Sequence, residues 1–590
     1  MRVAVLLEDR CQPKKCNQEC WAFCPPVLNG IECIVFEEDS GKPIISEPLC
    51  IGCGICIHKC PFDAIIIQNL PAELEVDKIH RYSQNGFRLF RLPVPREKQV
   101  VGILGQNGMG KSTAINILSG QLVPNLGDWL NENPTWTEAC DTQPRGELRD
   151  YFTDILDEKV KVAVKPQYVD HIPKQFTGKV GELLTHADER KAMDEVTVEL
   201  GIDHLLEREV SELSGGELQR LAIGATLLRD VDVYFFDEPS SYLDIFERMR
   251  VVKILQRLAQ EHRVIVIEHD LAILDVLSDL VHIVYGERAA FGIFTPPRTT
   301  RKAINAYLDG FLSEENVRIR DKPISFVRGS TRAEAVGPAI LEWGGIAKTL
   351  GEFSLETGEG KLHQAEVVGV VGPNATGKTT YAKIIAGELE MDDGWCTMEA
   401  DISYKPQHVV CEHDCTVREW LDAELGQRWH EGEFQSRVLR TMQVDQLLEL
   451  NAQQLSGGEL QAVSIVICLG RDADIYLLDE PSAHLDANSR MEAAKAIRRT
   501  METNAKSALV IDHDIYFIDI VSDSLLVFEG EGGKQGTAVG PLPLQEGMNR
   551  FLEGVEVTFR RDHDSKRPRI NKEGSQKDRG QKASGDYYYS

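Results

Sequence analysis

The sequence lacks any run of about 18 uninterrupted apolar residues, which is the length that a membrane-spanning helix needs. Its first residues, MRVAVLLEDRC, form an apolar stretch that is too short and too quickly charged for a signal peptide. Both absences predict a cytoplasmic protein without a membrane partner.

Positive charge is also in short supply, because 65 lysines and arginines face 93 acidic residues and the formal net charge is -28. This excess opposes broad attraction to nucleic acid or anionic membranes, so such partners must be met by local patches. Two stretches qualify: residues 296–332, with eight basic residues against four acidic ones, and residues 560–590, with nine against five.

Cysteine is sparse after the first sixty residues, which hold nine of the fourteen. Cytoplasmic chains rarely keep disulfides, which leaves metal binding as the explanation. The run LCIGCGICIHKCP has the spacing of a bacterial ferredoxin, in which three thiolates hold one [4Fe-4S] cluster and the fourth reaches another. A second run of four cysteines with looser spacing lies upstream, at Cys11, Cys16, Cys20 and Cys24. Exchanged fourth ligands give two clusters, one on Cys50, Cys53, Cys56 and Cys24 and the other on Cys11, Cys16, Cys20 and Cys60.

Cys33 is left over from this assignment. A zinc module is the alternative, although it would favour cysteine pairs that lie farther apart. The other five cysteines are scattered and are interpreted as ordinary small buried residues: Cys140, Cys396, Cys411, Cys415 and Cys468.

A phosphate-binding loop follows in VVGILGQNGMGKSTAINIL, where an apolar strand leads into a glycine-rich turn and then a helical pattern. In such a loop backbone N–H groups wrap the phosphates, the lysine (Lys111) reaches the β and γ oxygens, and the hydroxyl (Ser112) ligates Mg2+. Downstream, VDVYFFDEP is a buried strand that ends in a magnesium-binding carboxylate, Asp237, and a general base, Glu238.

Between these segments LSGGELQR opens a helix and forms a second anion site, whose ligand must come from elsewhere. An internal repeat provides it. GPNATGKTT repeats the phosphate loop, LSGGELQA repeats the second anion site, and 242 residues separate both Ser214 from Ser456 and Asp237 from Asp479. KPQYV and KPQHV recur in the same order, as do IEHD and IDHD. A lone glutamine or histidine would more often be structural, but this recurrence favours a role at the site.

These segments together resemble the nucleotide-binding domains of ATP-binding cassette (ABC) proteins over residues 76–545. The resemblance implies two cassettes that face head to tail, so that Lys111 shares a nucleotide with Ser456, and Lys378 with Ser214. It also implies an aromatic ring against adenine, about 25 residues before the P-loop lysine. Phe87 and Phe353 stand there, with Tyr82 as an additional candidate; packing in the core is the alternative for such residues.

Twin cassettes behind paired ferredoxin runs resemble the ribosome-recycling ABC ATPases of archaea and eukaryotes, the RNase L inhibitor family or ABC subfamily E, from residue 1 to about 575. VKPQYVDHIPK, YLDGF and RPRINK support this. The resemblance implies ATP-driven splitting of ribosomes after termination. Its implied partners are the ribosome, the small subunit with its rRNA and protein, and a peptide release factor or its rescue paralogue. Cassette closure would swing a stiff iron–sulfur domain. An ATP-gated electron carrier and the ATPase subunit of a membrane importer are the rival functions.

The predicted fold class is α/β, with two P-loop nucleotide-binding domains behind a small ferredoxin-like α+β domain. The predicted units are the iron–sulfur domain (1–75), the first cassette (76–315, with an insertion at about 121–164), a hinge (316–335), the second cassette (336–545) and a C-terminal hinge segment with a basic tail (546–590), of which 571–590 is predicted to be disordered. The basic stretches are either hinge segments or solvated linkers.

RGELRDYFTDILDE in the insertion has helical spacing. In the family this position bears a helix–loop–helix that touches small-subunit RNA, and a decorative surface helix is the alternative. Ala375 departs from the family, whose second P-loop usually has glycine at this position. A Cβ here restricts the conformation of the loop.

The candidate residues are as follows. The predicted catalytic residues are Glu238, Glu480, His269 and His513. ATP binding falls to Gly105, Asn107, Gly108, Gly110, Lys111, Ser112, Thr113, Gln167, Ser214, Gly215, Gly216, Asp237, Gly372, Asn374, Gly377, Lys378, Thr379, Thr380, Gln407, Ser456, Gly457, Gly458, Asp479, Tyr82, Phe87 and Phe353. The predicted Mg2+ ligands are Ser112, Gln167, Thr379 and Gln407.

Overall fold

The fold is described from a computed structural model. It describes residues 2–588 apart from 8–9, 38–39, 47–48, 70–76, 85, 132, 289, 321, 325, 327–336, 398–399, 408, 412–413 and 564. The predicted boundary at 75/76 and most of the predicted hinge at 316–335 therefore lie outside the described residues.

The N-terminal domain is built from two short antiparallel strand pairs and three short helices. Strand β1 (Arg2–Leu6) pairs with β4 (Ile65–Asn69), and β2 (Ile34–Phe36) pairs with β3 (Pro43–Ile45). The helices are α1 (Glu19–Ala22), α2 (Pro25–Leu28) and α3 (Ile55–Lys59). Its described core contains cysteine thiols beside a few aliphatic side chains. So small a core fits a domain that is held together by metal.

The first cassette surrounds a sheet with the order β5-β6-β12-β11-β7-β10-β9-β8, to which β13 adds beside β11. Its strands are β5 (Lys78–Arg81), β6 (Arg88–Phe90), β7 (Val100–Gly105), β8 (Val162–Lys165), β9 (Val233–Asp237), β10 (Arg263–Ile267), β11 (Leu280–Glu287), β12 (Phe291–Phe294) and β13 (Arg298–Thr299). Its helices are α4 (Lys111–Leu118), α5 (Trp136–Thr142), α6 (Glu147–Leu156), α7 (Ile172–Gln175), α8 (Val180–Ala187), α9 (Met193–Leu200), α10 (Gly215–Leu227), α11 (Ile245–Leu258), α12 (Leu271–Leu277) and α13 (Thr300–Asp309). A hairpin of β14 (Phe311–Leu312) and β15 (Val317–Arg318) follows.

The second cassette repeats this plan with the order β18-β16-β17-β25-β24-β19-β23-β22-β21, and β20 pairs with β16. Its strands are β16 (Ala339–Leu350), β17 (Phe353–Thr357), β18 (Gly360–His363), β19 (Val367–Val371), β20 (Asp393–Cys396), β21 (Ile402–Lys405), β22 (Ile475–Asp479), β23 (Ser507–Ile511), β24 (Ser524–Glu531) and β25 (Gln535–Pro543). Its helices are α14 (Lys378–Ile385), α15 (Val417–Leu425), α16 (Gly432–Phe434), α17 (Gly457–Gly470), α18 (Ala487–Asn504), α19 (Ile515–Val521) and α20 (Leu544–Gly554). The central parallel strands are buried along their whole length, which explains their unbroken apolar sequences.

The insertion in the first cassette folds as a helix–loop–helix made of α5 and α6. Thr135 caps α5 by accepting a hydrogen bond from the Glu138 N–H, and Phe152 of α6 is buried against the ring of Trp136. The predicted helix is therefore present, and both helices pack on the cassette.

The C-terminal segment differs from the prediction of a disordered tail. Strands β26 (Phe559–Arg561) and β27 (Pro568–Ile570) pair, helix α21 (Gln576–Ser584) follows, and Tyr588 is fully buried. Arg567 and Arg569 reach Asp275 of the first cassette at 3.1 and 2.6 Å. The prediction of disorder for residues 571–590 was wrong because contacts between residues far apart in the chain, such as Thr558 with Asp578 and Asp519 with Tyr588, order this segment. Such contacts leave no periodicity in the sequence.

In the described parts of the two basic stretches, several side chains form ion pairs within the molecule. In the first stretch Arg298 is buried and pairs with Glu314 and Glu315. In the second, Arg561 pairs with Asp519 of the second cassette at 2.8 Å. Part of the positive charge is thus used inside the molecule, and in the second stretch it joins the C-terminal segment to both cassettes.

The iron–sulfur domain contacts both cassettes. Val5 and Leu7 pack against Phe90 and Ile293 of the first cassette. Lys15 forms an ion pair with Glu449 of the second at 3.4 Å. In the part of the chain that the structure describes, none of the helices is long and apolar enough to cross a membrane.

Candidate nucleotide and iron–sulfur sites

Each P-loop is a tight turn between a buried strand and a helix. Gly110 precedes α4 with φ of 82°, and the ring of Phe87 lies so close that a Cβ on Gly110 would stand 2.6 Å from it. Phe353 takes the same place against Gly377, at 2.9 Å. Both predicted aromatic residues therefore lie beside their P-loops.

The P-loop lysines are buried and fold back over their own loops. Lys111 Nζ donates to the carbonyl oxygens of Gly105 and Gln106 at 2.8 and 2.9 Å, and Lys378 Nζ donates to those of Gly372 and Pro373 at 2.9 and 2.6 Å. Burial lowers the pKa of Lys111, and burial lowers the pKa of Lys378 to about 8. An anion in the loop would favour the charged form of both lysines.

The aspartates that end β9 and β22 lie in a position that suits a cation. Burial and the neighbouring Glu238 raise the pKa of Asp237 to about 7, and burial and Glu480 raise that of Asp479 to about 6. Both carboxylate oxygens of Asp479 are buried and accept no hydrogen bond from the described residues. A buried carboxylate of this kind is satisfied by a metal ion, so these residues fit Mg2+.

Each following glutamate is held by the predicted glutamine and faces the predicted histidine. Gln167 Nε2 donates to Glu238 Oε1 at 2.7 Å, and Gln407 Nε2 donates to Glu480 Oε1 at 2.8 Å. The imidazole Nε2 atoms of His269 and His513 lie 3.6 Å from those same two oxygens. The structure thus brings together, in both cassettes, the groups that the repeat paired.

The local charges favour an ionised base. Burial alone would raise the pKa of Glu480, but His513 and Gln407 bring it down to about 2. Burial, with Lys111 and Arg490, holds the pKa of His269 well below its usual value, so this imidazole is neutral. In the second cassette, an ionised Glu480 can orient a water molecule by accepting its hydrogen bond.

Two further pairs of residues support these glutamates and were missed from the sequence. Lys165 and Lys405 are buried, and their Nζ atoms donate to the carbonyl oxygens of Asp237 and Asp479 at 3.0 and 2.8 Å. Gln219 and Gln461, in the helices that LSGGE opens, donate to the carbonyl oxygens of Glu238 and Glu480 at 2.7 and 2.6 Å. The signal was available, because KPQ and LSGGELQ both recur in the repeat.

The cassettes meet head to tail. A cleft is lined by Lys111, Ser112 and Asp237 of the first cassette and by Ser456, Gly457 and Gly458 of the second. Tyr82 and Phe87 line the same cleft, and the Tyr82 hydroxyl lies 3.2 Å from that of Thr113. At the other site, Asn374 of the second P-loop contacts the first cassette, because its Nδ2 donates to the Tyr242 carbonyl at 3.1 Å. The same atom would stand 3.7 Å from a Cβ on Gly216 in the first LSGGE segment.

Two aspartates join each cassette to the other's P-loop. They end the segments SSYLD (Asp244) and SAHLD (Asp486), which follow the Asp-Glu pairs. Asp486 accepts from the Asn107 N–H at 3.1 Å, and Asp244 accepts from the Asn374 N–H at 2.7 Å. Each aspartate also caps the helix that follows it, α18 or α11. These contacts were not predicted from the sequence.

The eight predicted cysteine ligands lie in one domain and fall into two groups of neighbours. Burial, together with the neighbouring Cys60, Cys11 and Cys16, raises the pKa of Cys20 to about 12. Burial raises the pKa of Cys56 to about 11, and its thiol neighbours are Cys50, Cys53 and Cys24. These neighbours are the two sets with exchanged fourth ligands, so the residues present fit two clusters.

Two other observations bear on the cysteines. No three of the metal-ligating side chains in the described ranges lie close enough to hold a single metal ion. Cys411 and Cys415 are not scattered as predicted, since their sulfurs lie 3.9 Å apart.

We expect about eight iron atoms per chain in anaerobically purified protein, because two four-iron clusters each need four thiolates. Cys33→Ser is expected to leave this number unchanged. Cys33 is buried beside Cys24 and Cys50, so it is a demanding control for the assignment. A fall to half in the Cys33 variant would refute the ligand sets.

The family model for ABC transporters matches residues 95–241 and 355–483. A possible Fer4-like domain of the RNase L inhibitor matches residues 1–32, and a 4Fe-4S binding domain matches residues 43–66. Together with the two assembled P-loop sites, these matches define the class of the protein, an ABC-type ATPase with an N-terminal iron–sulfur domain.

Comparison with whole proteins gives the family. The chain is 48% identical to an uncharacterised ABC transporter ATP-binding protein of Methanocaldococcus jannaschii, over 100% of this chain and 98% of the relative. It is 44% identical to the translation initiation factor RLI1 of Saccharomyces cerevisiae, with the same coverage. A structure of ribosome-bound archaeal Pelota and ABCE1 superposes with a TM-score of 0.96 at 49% identity, covering 100% of this chain and 99% of that one. The chain belongs to the RNase L inhibitor family, ABC subfamily E, and the predicted fold class is confirmed.

Proposed function

We propose that the protein is a ribosome recycling factor, which splits ribosomes into subunits after termination by closing its two cassettes on ATP. The relatives named above include a translation initiation factor and a ribosome-bound protein, and a crystal structure of archaeal ribosome recycling factor aABCE1 with the stalk protein aP1 is 48% identical over 88% of this chain with a TM-score of 0.83. The small ribosomal subunit, a peptide release factor or its rescue paralogue, and a cytoplasmic location follow as parts of the proposal.

The contacts of the iron–sulfur domain with both cassettes carry this proposal. Its apolar face is fixed to Phe90 and Ile293 of the first cassette, whereas Arg10 and Lys15 reach Gln446 and Glu449 of the second. When the cassettes separate, both sets of contacts cannot be kept. Opening and closing must therefore shift this domain relative to at least one cassette.

The ATP chemistry follows from the residues of each cleft. Lys111 and Lys378 would neutralise the β and γ phosphates, while the serine turns of LSGGE from the opposite cassette would close over them. Ser112 with Gln167, and Thr379 with Gln407, would hold Mg2+, which neutralises developing charge on the phosphates. Glu238 and Glu480 would orient the attacking water, with His269 and His513 completing the contact to the nucleotide. Phe87 and Phe353, with Tyr82, would stack on adenine.

The energy available suits a mechanical role. Moving the cassettes from 1:99 to 99:1 in favour of closure needs about 5.5 kcal/mol of differential binding, and each of the two nucleotides would engage both cassettes. The clusters would supply metal–thiolate bonds that stiffen a domain of about 75 residues, whose apolar core is small. Under this proposal they need carry no electrons, which distinguishes it from an ATP-gated electron carrier.

Sedimentation with ribosomal subunits tests the partner. In the presence of a nonhydrolysable ATP analogue, the protein is expected to sediment with small subunits, and without nucleotide this fraction is expected to fall. Lys111→Ala combined with Lys378→Ala is the control that removes closure. Sedimentation with membranes in place of subunits would instead support an importer subunit.

A further inference from the structure

Arg288 joins the two halves of one nucleotide site. It follows strand β11 of the first cassette, and its Nη2 donates to Glu459 Oε1 in the LSGGE segment of the second cassette at 2.6 Å. Its side chain also crosses the first P-loop, since a Cβ on Gly108 would stand 2.7 Å from Arg288 Cγ. The guanidinium thus lies between the two segments that line the cleft of Lys111 and Ser456.

Among the residues that the structure describes, the other nucleotide site has no such cation between its P-loop and its LSGGE segment. Leu280 pairs with Val101, and Ser524 pairs with Val368, each partner standing ten residues before its P-loop lysine. This common register places Gly532 at the position of Arg288. Glu217, which corresponds to Glu459, pairs with Arg208 of its own cassette at 3.1 Å. Within the described residues, no ion pair links the second P-loop to the first LSGGE segment.

The two P-loops are adapted to this difference. Gly108, with φ of 77°, lies under the Arg288 side chain, where a Cβ would clash. Ala375 occupies the equivalent position with φ of 58°, and its Cβ would be 3.7 Å from a Cβ on Gly532. In the first site the P-loop position is glycine (Gly108) and the residue opposite it has a side chain (Arg288). In the second site the P-loop position has the side chain (Ala375) and the residue opposite it is glycine (Gly532). The departure from glycine at Ala375 is accommodated because no side chain stands opposite it.

Glu459 connects Arg288 directly to the phosphate-facing end of helix α17. One of its carboxylate oxygens accepts from the Ser456 N–H at 2.8 Å and from the Ser456 hydroxyl at 2.6 Å, while the other accepts from Arg288. Separation of the cassettes at this site must break the ion pair, and at the other site it need not break one.

We propose that Arg288 is a positioning residue that keeps the nucleotide site of Lys111 and Ser456 closed longer than the site of Lys378 and Ser214. It acts through Glu459 and makes the two sites reopen in a fixed order. The inference rests on the proposed function, because it takes ATP as the ligand that both cassettes share.

The test measures how long labelled ATP with Mg2+ is retained at each site. Glu238→Gln traps nucleotide at the first site and Glu480→Gln at the second, so each background reports one site. Arg288→Gly is expected to shorten retention about threefold to fivefold at the first site and to leave the second unchanged, as for a partly exposed ion pair. The difference should shrink at high salt, and Arg288→Lys should restore part of it.

A transplant supplies the reciprocal test. Ala375→Gly with Gly532→Arg, combined with Arg208→Gln to release Glu217, is expected to lengthen retention at the second site. Unchanged retention in the Arg288→Gly protein, while Lys111→Ala still abolishes binding at the first site, would overturn the role of Arg288 and leave the proposed function intact. Failure of both glutamine variants to retain ATP would instead contradict the proposed function.

Discussion

Replacement of Glu238 or Glu480 by glutamine is expected to keep ATP binding and to slow hydrolysis at the altered site by about 10²- to 10⁴-fold, the usual loss when a positioned base is removed. The carboxylate oxygen that would accept from water is the one held by Gln167 or Gln407. A glutamine keeps the shape of the side chain but places an amide where the negative charge was. Single-turnover hydrolysis and equilibrium binding of labelled ATP, measured on the same preparations, separate the two effects.

The two variants are expected to differ in steady-state turnover, because the cassettes are not equivalent. The first carries the α5–α6 insertion, and the cleft of its P-loop is bridged by Arg288 and Glu459. Gln260→Glu, at an exposed position outside both clefts, is a suitable control for an altered charge. Equal turnover in Glu238→Gln and Glu480→Gln proteins would contradict functional asymmetry.

Deletion of residues 1–75 is expected to abolish ribosome splitting while ATP is still bound and hydrolysed. The P-loops, the LSGGE segments and both glutamates lie outside this range. The physical reason is that cassette closure moves only what is attached to it, and the iron–sulfur domain is attached to both cassettes. Splitting of 70S or 80S particles and ATP turnover, assayed side by side, give the result.

The deletion exposes Phe90 and Ile293, so a variant that keeps the domain is also needed. Cys53→Ser removes one predicted cluster ligand and is expected to behave like the deletion, because metal–thiolate bonds replace a larger core. Cys33→Ser is its matched control in the same domain. Normal splitting by the truncated chain would refute the lever mechanism, and splitting that follows the redox state of the clusters would favour the electron carrier.

Much of the local architecture could be predicted from the sequence. A P-loop, a buried strand that ends in Asp-Glu, and a capped helix after LSGGE are each specified by a few adjacent residues, through backbone geometry and burial. The internal repeat extended this to Gln167 and His269, since two copies in the same order distinguish a site from ordinary packing. The cysteine spacings predicted two ligand sets, which stay a prediction, and in the structure Cys20 and Cys56 each have thiol neighbours from one set.

Other features required the tertiary structure, because they depend on residues that are far apart in the chain and leave no local pattern. In the tail at 571–590, predicted to be disordered, Tyr588 is held by Asp519, which is 69 residues away. Arg288 acquires a partner only because head-to-tail packing brings Glu459, 171 residues away, to 2.6 Å. Several short segments, each readable by itself in the sequence, therefore specified the chemistry of each site. The difference between the two sites was decided by side chains that meet only when both cassettes are folded and packed together.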